Sequence, residues 1–583
     1  MFKFNRTPKP EDLDKKLVFS LRRGVKTGLP RLKQLRFLPR LLTAQERWIF
    51  QAGLALFLIL VSSFIGLTLR RHLTSLPRHG GTYREAFQGV PRFINPVLAV
   101  SDVDKDLSRL IYSGLLKYNS EGELAPDLAQ EFSVENDGKT LRFLLREGAF
   151  WHDGEPVTQN DVIFTLEAIQ SAAWRSPLWQ TFQGVTLEKV EERTILAHAA
   201  AFSPSFASIF TIGILPEHIW SEADPRNVRL ANWNLKPIGT GPFRFKSLTK
   251  STDGALSFYR LVRYDEYHGK KPYLKEFVAQ FFSDFDAALA AFRTHVVDGV
   301  SFVPERLHSK VPVSGTTLHK LSFPRFTGLF FQDRKNDLLK DKAVRLSLAL
   351  ALNRETIVAK VPNAKLAFTP FMSWQVGFAR TLNLPEYSLV RAREILEAAG
   401  WKQTDGKWIK ENKTLRVTLT VLDDPVQLAV ADTIKSAWEA LGVEVKLEAV
   451  SRYIFGKEVL QPRTFEIALF SFITGRDPDP YPFWHSSQMD DPGVNLSSVR
   501  SRPLDNALEL GRATADEKTR LLNYVEFQKK FLEEVPGIIL YSNSYIYVTA
   551  KRVRGMDTKI VTTPADRFND VANWFVRSRL GWK

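Results

Sequence analysis

Residues 414–450 read TLRVTLTVLDDPVQLAVADTIKSAWEALGVEVKLEAV, and two hydrophobic periods follow one another within that short span. Leu415, Val417, Leu419 and Val421 alternate with Arg416, Thr418 and Thr420, the period of two that a strand needs to bury one face. The turn Asp423-Asp424-Pro425 ends that strand. Val426–Leu441 then runs as a helix closed by Gly442, after which Val443, Val445, Leu447 and Ala449 alternate with Glu444, Lys446 and Glu448. A strand, a helix and a second strand so closely joined form a crossover unit, which predicts two parallel strands with a right-handed connection. The fold class is therefore α/β.

Working outward, Asp341–Leu352 and Ser388–Ala399, the latter stopped by Gly400, read as further apolar-faced helices. Nearer the amino terminus, Lys139–Arg146 reads as a strand with Leu141, Phe143 and Leu145 on one face, entered through the turn Asn136-Asp137-Gly138. After a second turn at Trp151-His152-Asp153-Gly154, Thr158 can cap a helix whose third residue is Asp161 and whose apolar stripe is Val162, Leu166 and Ile169. Open α/β sheets bind ligands outside the carboxyl ends of their strands, and two such lobes can close a cleft between them. No internal repeat or low-complexity tract is visible, which argues against a solenoid.

Ile49–Leu69 is an uncharged apolar run of 21 residues. As a helix it spans roughly 30 Å, the thickness of a bilayer's hydrocarbon. Ahead of it, residues 1–47 hold 13 Lys or Arg against four acids, so +9 of the chain's +16 sits in a short head. The positive-inside rule keeps such a head cytoplasmic and exports the body, although Arg70 and Arg71 reduce the asymmetry. The expected organisation is a basic cytoplasmic head (1–47), a single transmembrane helix (48–69), a linker (70–80) and an extracytoplasmic body. Anionic lipid headgroups are the expected partner of the head. Residues 48–583 carry only +7, so the high isoelectric point gives no support to nucleic-acid binding.

Cysteine is absent, which excludes disulfides, thiol nucleophiles, cysteine metal clusters and a lipid-modified cysteine anchor. A body of this length with 44% hydrophobic residues in the chain can build a large core, arranged in two or three lobes.

Several segments together resemble the solute-binding proteins of family 5, the oligopeptide, dipeptide and nickel class that serve ABC importers. They begin with Gly81-Thr82-Tyr83, Asn95-Pro96, Leu110–Leu116, Leu124–Ala129, Asp137–Thr140 and Leu145–Gly148. They continue through Phe150–Thr158, Asn160–Phe164, Ile238–Phe243, Tyr264-Asp265, Gly269–Tyr273, Val344-Arg345, Leu348–Arg354 and Ala392–Trp401. The resemblance covers about residues 80–555. It implies a two-lobed, periplasmic-binding-protein-like (type II) fold with an extra subdomain, closing over a peptide or similar solute. Lobe I would comprise 81–120, 239–323 and 537–583, the added subdomain 121–238, and lobe II 324–536. The implied partners are ABC permease subunits, with no cofactor and no metal.

Thr474–His485, TGRDPDPYPFWH, resembles the family loop whose aspartate meets a peptide's amino terminus, which makes Asp477 or Asp479 the expected ligand carboxylate and Tyr481 and Trp484 its aromatic cover. A carboxylate in a partly dry cleft makes a charge-assisted hydrogen bond with an ammonium group, and the prolines hold the loop in shape. Asp102, Thr327, Gly328, Trp374 and Arg380 are the further ligand-binding candidates, Arg380 as a partner for a peptide carboxylate. The rival readings are a membrane-tethered hydrolase and a non-transport peptide receptor. Asp477 and Asp479 lie too close together on one loop to flank a glycosidic bond, and His152-Asp153 falls in a hairpin turn. No Gly-x-Ser-x-Gly elbow, phosphate-binding loop or His-Glu-x-x-His motif is present. The chain is thus expected to bind without catalysing.

Overall fold

A computed structural model describes residues 43–582 apart from 136–137, 253 and 515. The basic head up to residue 42 and the Asn136-Asp137 turn lie outside the described residues. The chain divides into two compact units, residues 1–76 with 579–583 and residues 77–578.

In the first unit, helix α1 runs over Ala44–His72 and starts earlier than the apolar run. Thr43 donates through both its backbone N–H and its hydroxyl to Glu46 Oε2, each at 2.8 Å, which supplies the missing acceptor for a helix start. Trp48, Phe57, Leu60 and Phe64 are exposed, and Ala44–Thr68 is long and apolar enough to cross a membrane by length and composition. The segment 70–80, expected as a linker, instead continues the helix to His72 and then forms the strand Leu73–Pro77, which pairs with Ser578–Trp582 at the far end of the chain.

The second unit is organised by an eleven-stranded mixed sheet. Its strands are β1 (Thr82–Gln88), β2 (Phe243–Lys250), β3 (Leu256–Arg263), β4 (Glu276–Phe282), β5 (Gly299–Val300), β6 (Thr316–Phe331), β7 (Arg416–Leu422), β8 (Glu444–Val450), β9 (Ile467–Ile473) and β10 (Gly537–Ala550). They follow the order β8-β7-β9-β6-β10-β5-β1-β4-β3-β2, with Ala364–Leu366 added against β10. The crossover unit forms as its periodicity requires. Strands β7 and β8 are parallel and in register from Arg416↔Glu444 to Leu422↔Val450. Helix α2 (Pro425–Leu441) joins them, capped by the Asp424 carboxylate on the Val426 and Gln427 N–H groups and ended by Gly442 at φ +102°.

Two long strands, β6 and β10, belong to both halves of the sheet. Leu321 and Phe323 of β6, with Tyr545 and Tyr547 of β10, pack in one core, whereas Leu329 and Phe331, with Ile538, Leu540 and Tyr541, pack in another. Between them the β6–β10 register shifts from Ser322↔Ser544 to Phe326↔Ser542, where Pro324 interrupts the ladder. The molecule thus has two lobes joined at a waist of crossing strands. The crossing in β10 falls within the strand, at about residues 542–544. Ile538–Tyr541 stays with lobe II because those side chains fill its core. Lobe I carries the added subdomain, a four-stranded antiparallel sheet ordered Ala129–Glu135, Thr140–Leu145, Thr194–Ala199, Val185–Glu191, with the helix Gln159–Gln170.

Candidate functional site

The waist is polar, with an apolar core in the lobe on either side. Thr327 Oγ1 lies 2.7 Å from Ser471 Oγ and donates to Asn543 Oδ1 at 3.3 Å, while Asn543 Nδ2 donates to Glu305 at 3.1 Å. Arg325 reaches the same Glu305 oxygen at 3.4 Å. Gly328 is required by close approach: a Cβ there would stand 2.8 Å from the Ile538 carbonyl oxygen of β10.

The loop 474–485 starts at this waist, because the Thr474 N–H donates to the Pro324 carbonyl at 2.7 Å. Gln375, next to Trp374, props the loop by donating to the Gly475 carbonyl at 3.1 Å. Both acids of the loop have partners within lobe II. Helices α3 (Arg502–Ala513) and α4 (Glu517–Glu534) lie against it. Arg520 and Tyr524, one turn apart on α4, donate to Asp477 at 2.9 and 3.2 Å. Asp479 accepts from the Tyr481 N–H at 3.1 Å and pairs with Arg512 at 3.3 Å. Burial pushes both carboxyls up from the ordinary aspartate value, against the pull of Arg520 and Arg512 respectively. Tyr481 is half-buried and stacks on His485 at 4.1 Å. Trp484 is a core side chain, 2% exposed and stacked on Phe330 at 5.4 Å.

Between these residues the loop sends Arg476 across to lobe I. Its guanidinium lies 4.4 Å from the centre of the Tyr118 ring, and Nη2 points at the Glu121 carbonyl oxygen at 3.5 Å. Sequence reasoning passed over Arg476, since one arginine in a loop gives no signal; its significance comes from a contact 355 residues away. On the facing wall, Asp566 pairs with Arg109 at 3.5 Å and Lys559 with Glu121 at 2.8 Å.

Asp102 is exposed at the first turn of the helix Asp102–Ile111, beyond a buried charge cluster. Arg567, fully buried, donates to Glu85 at 2.6 Å and to Asp106 at 2.8 Å, while Tyr83 and Tyr547 donate to Glu85 at 2.9 and 2.7 Å. Burial raises Asp106 to about 6 despite Arg567, and burial alone would depress Arg567, which Asp106 and Glu85 hold above its ordinary value. The loop therefore gathers Asp477, Asp479, Tyr481 and the Trp374 segment on lobe II, with Thr327 and Gly328 at the waist. Asp102 belongs to lobe I, and Arg380 is an exposed side chain.

Two lobes on a two-stranded waist, with a loop from one reaching the other, define a periplasmic-binding-protein-like fold. A family model described as "Bacterial extracellular solute-binding proteins, family 5 Middle" matches residues 123–492, more than half of the chain, and the chain belongs to that family. The oligopeptide-binding protein AppA of Bacillus subtilis (strain 168) is 25% identical over 484 residues, covering 80% of this chain and 87% of that protein. Its structure in complex with a nonapeptide superposes with a TM-score of 0.66 at 23% identity, over 86% of this chain and all of that one (100%). The ABC transporter substrate-binding protein CtaP of Listeria monocytogenes superposes at 0.75, with 24% identity over 86% and 100% of the two chains. The family and these neighbours are binding proteins, and the chain is a solute-binding protein of the kind that serves ABC importers.

Proposed function

We propose that this chain is a membrane-anchored extracytoplasmic protein that captures peptides by closing its lobes and delivers them, unaltered, to an ABC permease. The observation that carries the reading is the loop 474–481, which leaves the waist on lobe II and meets Tyr118 and Glu121 of lobe I, so that a solute held by it is held by both lobes. Peptide is the favoured solute because the relatives named above include an oligopeptide binder, one of them with a nonapeptide bound. Helix α1, with the +9 head before it, supports an anchor whose amino terminus is cytoplasmic and whose head lies on anionic lipid. In this reading Asp477 and Asp479 hold the loop's shape through Arg520 and Arg512, and Tyr481 and Trp374 offer aromatic surface at its edge.

The test is a thermal-unfolding titration of the full chain in detergent with a mixture of random pentapeptides. Binding to the folded state alone adds about 2.7 kcal/mol at a hundredfold excess over Kd, a rise of several degrees or less in a body of this size. No rise with any peptide mixture contradicts the reading, as does an unaltered rise in the double variant Asp477→Ala, Asp479→Ala. Protease shaving of sealed vesicles checks the topology: a body protected on the cytoplasmic side contradicts the proposed orientation.

A further inference from the structure

On the side of β10 away from β6, the short strand Ala364–Leu366 pairs with residues 541–543. Beyond its end the Ile539 carbonyl accepts instead from Nε of Arg354 at 3.1 Å. Arg354 is 7% exposed, its guanidinium 4.8 Å from the centre of the Phe368 ring. Among the described residues no carboxylate pairs with it and the bond from Nε is its sole hydrogen bond, so neither Nη group has an acceptor there. Burial pushes it down to about 10, which leaves it charged at neutral pH.

Arg354 lines a cavity of about 1320 Å³ between the helices Lys342–Leu350 and Leu389–Ala398 and the carboxyl end of α4; residues 381–387, neither helix nor strand, complete its wall. The loop 474–485 lies elsewhere, held by Arg520 and Tyr524 nearer the amino end of α4. The cavity sorts its charges by exposure. Glu355, Glu386, Arg391, Lys529 and Glu533 are exposed, and Lys529 and Glu533 are paired with Glu526 and Lys530. By contrast, a recess that shares Leu346, Phe368, Pro385 and Leu532 with the cavity has Arg354 as its sole polar side chain. A cation set in hydrocarbon without a counter-charge is costly, and an anion that brings its own apolar surface offsets that cost. Leu366, Leu384 and Tyr387 on the cavity wall are 41%, 45% and 50% exposed, apolar surface that a hydrocarbon chain would cover.

We propose that this cavity in lobe II is a second ligand site, separate from the cleft between the lobes, for a small amphiphile with a carboxylate head and a hydrocarbon tail. The carboxylate takes the two Nη groups of Arg354, and the tail lies along Leu346, Leu384, Ile395 and Leu532. The two oxygens of a carboxylate match the guanidinium fork, and the apolar walls select for a tail. The inference stands apart from peptide capture and does not depend on it.

The experiment titrates the full chain in a maltoside detergent, by calorimetry, with octanoate, octanol, octyltrimethylammonium and acetate. Octanoate is expected to bind at one site per chain. Octanol and the ammonium keep the tail without the anionic head and should bind about ten- to a hundredfold more weakly, the worth of one hydrogen bond to a charged group. Acetate, a head without a tail, should show no binding. Arg354→Gln should lose the preference for octanoate over octanol, and Arg354→Lys should keep part of it. Ile395→Trp, which fills the cavity and leaves the guanidinium in place, should abolish octanoate binding. A saturating pentapeptide mixture should leave octanoate binding unchanged. No octanoate binding, equal binding of octanoate and octanol, or displacement of octanoate by peptides overturns the inference. So does undiminished octanoate binding by Arg354→Gln or Ile395→Trp in a variant whose ligand-free melting temperature matches wild type; where Arg354→Gln falls short of that temperature, Ile395→Trp and the wild-type comparisons decide.

Discussion

Arg567 and Arg476 are both drawn away from water, and their surroundings treat them in opposite ways. Arg567 lies in the lobe I core, fully buried, with Glu85 and Asp106 as counter-charges and two tyrosines completing the hydrogen bonding around Glu85. Arg476 lies between lobes, half-buried, with an aromatic face and one long carbonyl contact. The first is a closed account of charge, tying β1, the helix Asp102–Ile111, β10 and the turn at 564–568 together. The second leaves a donor over. Partners are complete around the first, whereas one buried nitrogen of the second goes unmet, which is costly.

Arg567 carries the largest expected effect. Replacing it by Leu leaves Glu85 and Asp106 uncompensated in a dry core and is expected to cost about 3–5 kcal/mol in denaturant unfolding; a loss under about 1 kcal/mol would mean the cluster does not hold lobe I. Next in size is Arg520→Ala. Its pair with Asp477 is 11% and 13% exposed, so the variant should lose about 1.5–3 kcal/mol and loosen the loop that carries Arg476, weakening peptide binding in calorimetry.

A pH profile sharpens the contrast between satisfied and available groups. His152 is desolvated yet complete: Nδ1 accepts from the Gly239 N–H at 3.2 Å and Nε2 donates to the Gly241 carbonyl at 3.0 Å. Burial lowers it from its ordinary 6.5 to about 4. Between those values the unfolded chain binds the proton that the folded chain refuses, so the stabilising contribution present above pH 6.5 is lost as pH falls toward 4. Asp106, raised to about 6, works the other way: lowering the pH relieves the cost of its buried charge. The informative quantity is therefore the difference between wild type and His152→Asn, which should show a shallower acid limb in the variant; parallel limbs would contradict the assignment. Smallest is Gly122→Ala, which strains a positive φ and pushes on Arg476. It should cost about 1 kcal/mol of stability in denaturant unfolding; an unchanged stability would contradict the close packing of Gly122 on Arg476.

Much of the fold was legible because its signals are local. Residues 414–450 carry the alternation, the Asp424 cap and the Gly442 stop, and each acts within a few residues of itself. Thr158 and Asp161 mark the helix Gln159–Gln170 in the same way, through the Thr158 N–H on Asp161 at 2.7 Å. The loop 474–485 was legible as a place, through its prolines, acids and aromatics. Its charge was not, because the partners are distant: Arg520 and Tyr524 are 43 and 47 residues on, and Tyr118 and Glu121 lie on another lobe. An acid in a Pro-stiffened loop reads as free until the helix beneath it is known. The strand Leu73–Pro77 was hidden for the same reason, since its partner is the other end of the chain.

The two lobes are expected to swing about the waist at 322–326 and 541–545, where the β6–β10 register shifts, and to close on a solute. The chain has no cysteine, so spin labels go cleanly onto Glu192→Cys in the subdomain and Lys457→Cys in lobe II, both exposed. Electron–electron distance measurements on the full chain should give a broad distribution without ligand and a shorter, narrower one when the pentapeptide mixture is added. The same distribution in both samples, with binding shown by calorimetry, would contradict closure.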